Sequence, residues 1–267
     1  MNVSLPKLKL FWWNEAPNFG DALSPAIVEY VSGRGVEWQT MRECDLVALD
    51  SIMKQVRRSH NTKREGEKPW IWGTGSVGPH RNDFLSNVNI AAVRGPLTAC
   101  LIGYDRISKG DPGLLVGEVY EGKLQKEKEY SVGVVLHHSQ KASPEVLKFL
   151  ENNKRSCLID ASDSNALNVV SKINACEKII SASLHGLVVA DGLGVPNYWL
   201  DPMGIHQTAR FKFYDYATSI GRAFPDPIPF AVLGNTNSAD LTVETSYFDN
   251  LAGVIDNLRQ AFPEELK

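Results

Sequence analysis

An α/β class with parallel sheets is predicted by two observations. Strand-like and helix-like segments alternate along most of the 267 residues. Four glycine-containing turns, N-F-G-D at 18–21, W-G-T-G-S at 72–76, V-R-G-P at 93–96 and S-L-H-G at 183–186, each follow a strand-like run. Composition says only that the chain is globular: 43% hydrophobic and 22% charged residues are ordinary for a soluble protein with a buried core. The length suits one large or two modest domains.

The elements follow in order from apolar periodicity and its punctuation. Leu8 to Trp13 reads as the first strand, and a helix begins near Leu23-Ser24-Pro25 after the turn N-E-A-P-N-F-G-D. Cys44 to Asp50 forms another strand or strand-turn, and Trp70-Ile71-Trp72 a short strand running into G-T-G-S-V-G-P. Val88 to Val93 is strand-like, and Gly95-Pro96 starts the helix P-L-T-A-C-L-I. Residues 108–117, S-K-G-D-P-G-L-L-V-G, lead into the charged E-G-K-L-Q-K-E-K-E-Y, a composition shift expected of a linker. The alternation then restarts with strand Tyr130–Leu136, helix Pro144–Asn152, strand Ser156–Asp160 and helix Asn165–Ala175. An apolar run from Lys178 to Ala182 stops at Ser183, a natural N-cap. His185-Gly186 opens a short apolar helix that Gly192 and Gly194 end, and Tyr198-Trp199-Leu200 is the strand beyond Pro196. Ser246 to Phe262 has helical spacing. Two Rossmann-like domains result, 1–117 and 118–267, with a cleft between them and the last helix placed to pack back on the first half.

Composition excludes several classes. A net charge of -3 gives no support for nucleic-acid binding, which shows a basic surplus. Cys44, Cys100, Cys157 and Cys176 are scattered, as expected of reduced thiols in a cytosolic protein. The start M-N-V-S-L-P-K-L-K-L-F-W-W-N has too short an apolar core for a signal peptide, and no stretch approaches a membrane span of roughly 20 residues. The expectation is a cytoplasmic protein that meets a membrane, at its inner face, only through its substrate.

In open α/β sheets ligands bind beyond the carboxyl ends of the strands, where the four glycine turns lie. The first turn of the helix after Ser183 carries about half a positive charge, so a histidine at its mouth stands where a phosphate binds. His185 fits either a general acid–base role or a satisfied structural residue. Arg94 suits a bidentate grip on a carboxylate or phosphate, or else reads as a surface arginine or a salt bridge across domains. Asp21 is a candidate catalytic carboxylate or a helix cap, and Asp111 in G-D-P-G a candidate that also suits a plain turn. The run 206–216, H-Q-T-A-R-F-K-F-Y-D-Y, fits a sugar or anion site or an amphipathic helix with its aromatics inward. His137-His138 has no third ligand at metal spacing, so no metal is expected.

Taken in order, N-x-G-D, W-G-T-G-S, V-R-G-P-x-T-A, G-D-P-x-L-L and H-G-x-x-x-A-x-x-x-G-x-P resemble the polysaccharide pyruvyl transferase family over roughly residues 10–200. The short length and F-K-F-x-D-Y look most like bacterial members that decorate exopolysaccharide or surface-glycan repeat units. The resemblance implies a fold similar to the two-domain GT-B glycosyltransferases. It implies transfer of pyruvate from phosphoenolpyruvate, a co-substrate with no further cofactor, onto two hydroxyls of one sugar as a cyclic ketal. The acceptor is then a polysaccharide or oligosaccharide repeat unit, with a lipid-linked form at the membrane among the candidates. By similarity Arg94 and His185 belong to the donor site, with Ser183, Leu184, Gly186, Gly75 and Ser76 around them and Asn18 beside Asp21. Many members carry an arginine two residues before the histidine, where this chain has Ser183; Arg210, Lys212 and Lys109 are candidates for that missing cation. In this picture His185 acts as general acid and then base, its pKa held up by the donor's dianion, and Asp21 orients acceptor or donor. Two rivals are a GT-B glycosyltransferase using a nucleotide sugar and a non-catalytic glycan- or anion-binding domain. No acidic residue placed for a ribose follows the H-G helix, and a binding domain would release no phosphate.

Overall fold

The computed structural model describes residues 5–137, 140, 143–201, 209–223 and 226–267, the side chain of Ala209 excepted. Strands β1 (Leu8–Phe11), β2 (Val36–Trp38), β3 (Leu46–Ala48), β4 (Trp70–Trp72), β5 (Asn89–Val93) and β6 (Ser108–Lys109) form one parallel sheet in the order β2-β1-β3-β4-β5-β6. Strands β7 (Val132–Val135), β8 (Ser156–Ile159), β9 (Ile179–Ser181) and β10 (Asn197–Trp199) form a second, also parallel, in the order β10-β9-β7-β8. L-V-A of β3, V-G-V-V of β7 and I-I-S of β9 are buried throughout. Such unbroken apolar runs are what strands covered on both faces require. The α/β class with parallel sheets, read from alternation, is therefore observed.

Nine helices among the described residues connect and cover the strands: α1 (Phe19–Ser32), α2 (Met53–His60), α3 (Pro96–Ile102), α4 (Val116–Val119), α5 (Pro144–Asn152), α6 (Ala166–Asn174), α7 (Leu184–Gly192), α8 (Ala209–Ser219) and α9 (Phe248–Gln260). One buried apolar cluster runs from Leu8 and Leu10 through Leu23 and Ile27 of α1 to Val169, Val170 and Ile173 of α6. The two sheets thus share a continuous core. Helix α9 lies on the first sheet, where the Trp72 indole N–H donates to Leu258 O at 2.9 Å and Phe262 packs edge-on against the Trp72 ring.

Two local expectations are corrected. Helix α1 begins at Phe19, not near Pro25, because Asn18 Oδ1 accepts from Gly20 N at 3.1 Å and captures the chain there. Pro25 then sits inside the helix, where it forgoes one backbone bond. Residues 108–117, expected as part of a linker, are largely packed into the core. Asp111 caps a 3₁₀ turn by accepting from Gly113 N at 2.9 Å, and Pro112 to Leu115 are buried. The glycine and proline there shape a tight turn in the core; the exposed charged stretch begins only at Glu121.

Both strand orders reverse once near the middle, between β1 and β3 and between β7 and β9. Ligands in open α/β sheets bind where the order reverses, at the carboxyl ends. Asn18 and Asp50 lie beyond β1 and β3, and His137 and Ser183 beyond β7 and β9. All four line one cavity.

Candidate active site

This cavity has a volume of about 500 Å³, within the range of sites for small ligands. Trp13 and Asn18 reach it from β1, Asp50, Ser51 and Ile52 from β3, and Lys54, Gln55 and Arg58 from α2. Ser183, Leu184 and His185 come from the start of α7, and Lys212 from α8.

The turn that presents α7 is held by Ser181, whose hydroxyl accepts from Ser183 N at 3.0 Å and donates to Ser183 O at 2.7 Å. Ser183 occupies the N-cap position without a capping bond from its own hydroxyl, a correction to its expected role as cap. The first-turn N–H groups of a helix lack intrahelical partners, so this end of α7 favours an anion. His185 is 5% exposed, its ring packed edge-on against Phe19 at 6.3 Å. Its Nε2 has no hydrogen-bond partner. Burial lowers its pKa below the ordinary value, against the pull of Asp111 and Asp50. Burial likewise lowers the Lys212 ammonium, with Asp50 acting the other way.

Asp21 is buried, and its Oδ2 accepts from Asn18 Nδ2 at 2.7 Å, while no N–H group of the described residues donates to its Oδ1. Its carboxyl is pushed up to about 10 by burial and by Asp50, with which it shares a hydrogen bond. Burial also works to raise Asp50, but the bond from Asp21, with His185 and Lys212 nearby, holds Asp50 below its ordinary value. A protonated Asp21 has a consequence for stability. The folded chain keeps that proton up to about 10, whereas the unfolded chain loses it near 3.8. The stabilisation is therefore complete below the lower value and lost as pH rises toward the higher one. Asp21→Asn is expected to raise Tm, and by more at about pH 8 than at about pH 4. A gain of equal size at both pH values, or none, would show the carboxyl ionised in the fold.

Arg94 is fully buried, as is Asp215 of α8, to which its Nε donates at 3.1 Å and with which its Nη2 forms an ion pair at 3.0 Å. Nη2 donates to Ser76 O at 2.6 Å, and Nη1 to the hydroxyl of Ser51. Arg94 does not line the cavity; Ser51 does. Gly75 and Ser76 support this arrangement from behind: a Cβ on Gly75 would stand 2.3 Å from the guanidinium carbon, and Ser76 Oγ pairs with His80 at 2.9 Å.

The candidates for a second cation separate clearly. Lys109 donates to the carbonyls of Asp105 and Ile107, outside the cavity. Arg210 is exposed and paired with Asp201. Lys212 alone of the three lines the cavity. Asp111 is buried and faces His185 electrostatically, and Gly186 lies in α7 against Ser181. Of the run 206–216, residues 206–208 lie outside the described residues, as does His138 of the histidine pair; His137 lines the cavity. Among the described residues no cluster of His, Cys, Asp and Glu could hold a metal ion, and no helix is long and apolar enough to cross a membrane. Asp50, Ser51, Trp13 and the basic face of α2 were not singled out from sequence. An acidic residue ending the apolar run D-L-V-A-L-D was the available signal for Asp50.

A family model described as Polysaccharide pyruvyl transferase matches residues 18–202, a span that holds Asn18, Asp50, Arg94 and His185. The succinoglycan biosynthesis protein ExoV of Rhizobium meliloti is 30% identical over 229 residues, 82% of this chain and 67% of that protein. An uncharacterized protein of Acanthamoeba polyphaga mimivirus is 30% identical over 126 residues, 47% of this chain and 44% of that protein. The chain thus spans less than half the length of the viral relative. The solved structure of a functionally uncharacterized Klebsiella pneumoniae protein overlaps with a TM-score of 0.49 at 11% identity, covering 84% of this chain and 92% of that one. At that level the overlap carries no argument.

Proposed function

The chain belongs to the polysaccharide pyruvyl transferase family, and from that premise we propose that it transfers pyruvate from phosphoenolpyruvate to two hydroxyls of one sugar, forming a cyclic ketal. The acceptor is a polysaccharide or oligosaccharide repeat unit, and phosphoenolpyruvate is the only co-substrate. The two sheets are read as the halves of a GT-B-like fold, with the boundary near residues 117 and 118.

The observation that carries this proposal is His185, a buried imidazole with an unpartnered Nε2, set in the cavity at the N-terminus of α7 beside Lys212. Phosphoenolpyruvate has an anionic group at each end, and a helix N-terminus with a nearby ammonium suits such a ligand. Lys212 supplies the cation that an arginine supplies in many relatives. Arg94 acts through Ser51, which it holds at the cavity wall. The donor's negative charge would raise the lowered pKa of His185, so the histidine takes up a proton as the donor arrives. It can then protonate the methylene carbon. Trp13 at the wall offers an aromatic face to the acceptor ring.

The test is incubation with phosphoenolpyruvate and a panel of galactosides, glucosides and N-acetylmannosaminides, read by mass spectrometry for an added pyruvyl group and by phosphate release. His185→Ala is expected to lose about 100-fold or more of the rate while staying folded. Near-normal turnover in that variant would remove His185 from the chemistry.

A further inference from the structure

We infer, resting on the pyruvyl-transfer reading, that Asp50 is the base that takes the proton of the first attacking acceptor hydroxyl, with Asp21 as the protonated partner that keeps it ready. Asp50 lines the cavity together with His185 and Lys212, whereas Asp21 is buried and does not line it. Its backbone is unusual. Leu49 and Asp50 are consecutive non-glycine residues with φ of 55° and 59°, a left-handed conformation that costs free energy at each position. The surroundings enforce it: Asp50 O accepts from Thr74 Oγ1 at 3.0 Å and from Gly75 N at 2.9 Å, and Asp50 Oδ1 accepts from Ser51 N at 2.6 Å. Backbone strain held in place this way aims one carboxyl group at the cavity.

Asp21 supplies the second half. Two carboxylates share a hydrogen bond only when a proton lies between them, and the otherwise unpartnered buried Oδ1 of Asp21 fits that need. Asp21 is the member that holds the proton, since it is deeper and receives a side-chain bond from Asn18 only. Asp50 is the ionised member, because it receives the Ser51 N–H and has the Lys212 ammonium beside it, with His185 joining as a second cation once the donor has raised its pKa. Asp111 is the opposing acidic group that faces it.

The proton balance closes with these two residues. Protonated His185 gives its proton to the methylene carbon, which becomes the methyl group. The first hydroxyl oxygen bonds to the central carbon as its O–H bond breaks and the proton passes to Asp50. The carbon–oxygen bond to phosphate then breaks, its electron pair leaving with the phosphate, which takes the proton from Asp50. The second hydroxyl adds to the same carbon and its proton returns to His185. One ketal and one hydrogen phosphate result, and both residues regain their starting states.

The experiment compares Asp50→Asn with Asp21→Asn. Asparagine tolerates the left-handed backbone at position 50 but cannot accept the proton. Its kcat is expected to fall about 100-fold or more, with KM for phosphoenolpyruvate within about threefold of wild type. At position 21 the amide donates the hydrogen bond that the protonated carboxyl did, so kcat stays within about tenfold. Infrared spectra of protein carrying isotope-labelled aspartate should show a protonated-carboxyl band at neutral pH that Asp21→Asn lacks. Asp50→Asn retaining more than about a tenth of kcat would overturn the assignment. So would Asp21→Asn losing as much as Asp50→Asn, or the absence of an acid band in wild type. An acid band in wild-type protein that turns over no phosphoenolpyruvate with any acceptor overturns the chemistry and leaves the shared proton standing.

Discussion

Arg94→Ala lowers Tm by about 6–20 °C, the expected result of leaving Asp215 as an uncompensated buried charge. Breaking a buried ion pair by removing one partner costs about 3–5 kcal/mol, and each kcal/mol is worth about 2–4 °C in a chain near this size. Both side chains are fully excluded from water. Asp215 also accepts from Thr98 N at 2.9 Å and from Thr98 Oγ1 at 2.6 Å, so it caps the first turn of α3 from the distant helix α8. Losing Arg94 therefore loosens α3, α8 and the Ser51 wall together. A calorimetric Tm within about 2 °C of wild type would show that Asp215 escapes to solvent or takes a proton at little cost. The same variant, assayed well below its Tm, should show a raised KM for phosphoenolpyruvate if Ser51 has lost its position. The effect on the ligand is thus indirect, and the stability loss is the larger signal.

That pairing also marks where the sequence ceased to be legible. Arg94 after an apolar strand was a visible candidate, and a salt bridge was one of its readings, while a surface arginine was another that its full burial corrects. Its partner lies 121 residues away, in a stretch whose mixed aromatics and charges fit two patterns equally well. The structure sorts its described residues, 209–216, by the face they occupy. Phe213 and Tyr216 pack inward, Asp215 is spent on Arg94 and Thr98, and Lys212 faces the cavity. Strand order was likewise invisible in local pattern, yet it decides that the ends of β1, β3, β7 and β9 meet. Asp50 was missed because a left-handed turn is foreseen at glycine, and Leu49-Asp50 carries none. What periodicity did supply was robust: apolar runs of strand length, broken by glycine turns, place His185, Asp21 and Arg94 at the ends of parallel strands.

Gly20→Ala is expected to cut turnover about as deeply as His185→Ala, by roughly 10²–10⁴-fold, although it adds only a methyl group. Gly20 is buried in the first turn of α1, directly after the Asn18 cap. A Cβ there would lie 1.9 Å from His185 Nδ1 and 2.3 Å from its Cγ. No such contact is tolerable, and the backbone on the other side is pinned, since Gly20 N donates to Asn18 Oδ1 and Phe19 N to Ala161 O at 3.0 Å. The imidazole is the part that must give. The helix itself prefers the change, because alanine is worth about 1 kcal/mol over glycine in helical backbone. Crowding costs about 1–3 kcal/mol, so the net loss of stability should be smaller than in Arg94→Ala. Combining Gly20→Ala with His185→Ala separates the two effects. With the ring gone the methyl has room and Tm recovers, but activity does not, and the double variant is no slower than His185→Ala alone. Such non-additivity is the mark of two residues acting through one group. If Gly20→Ala instead keeps its rate within about threefold, the position of the His185 ring, set by the packing of α1 against α7, does not govern turnover.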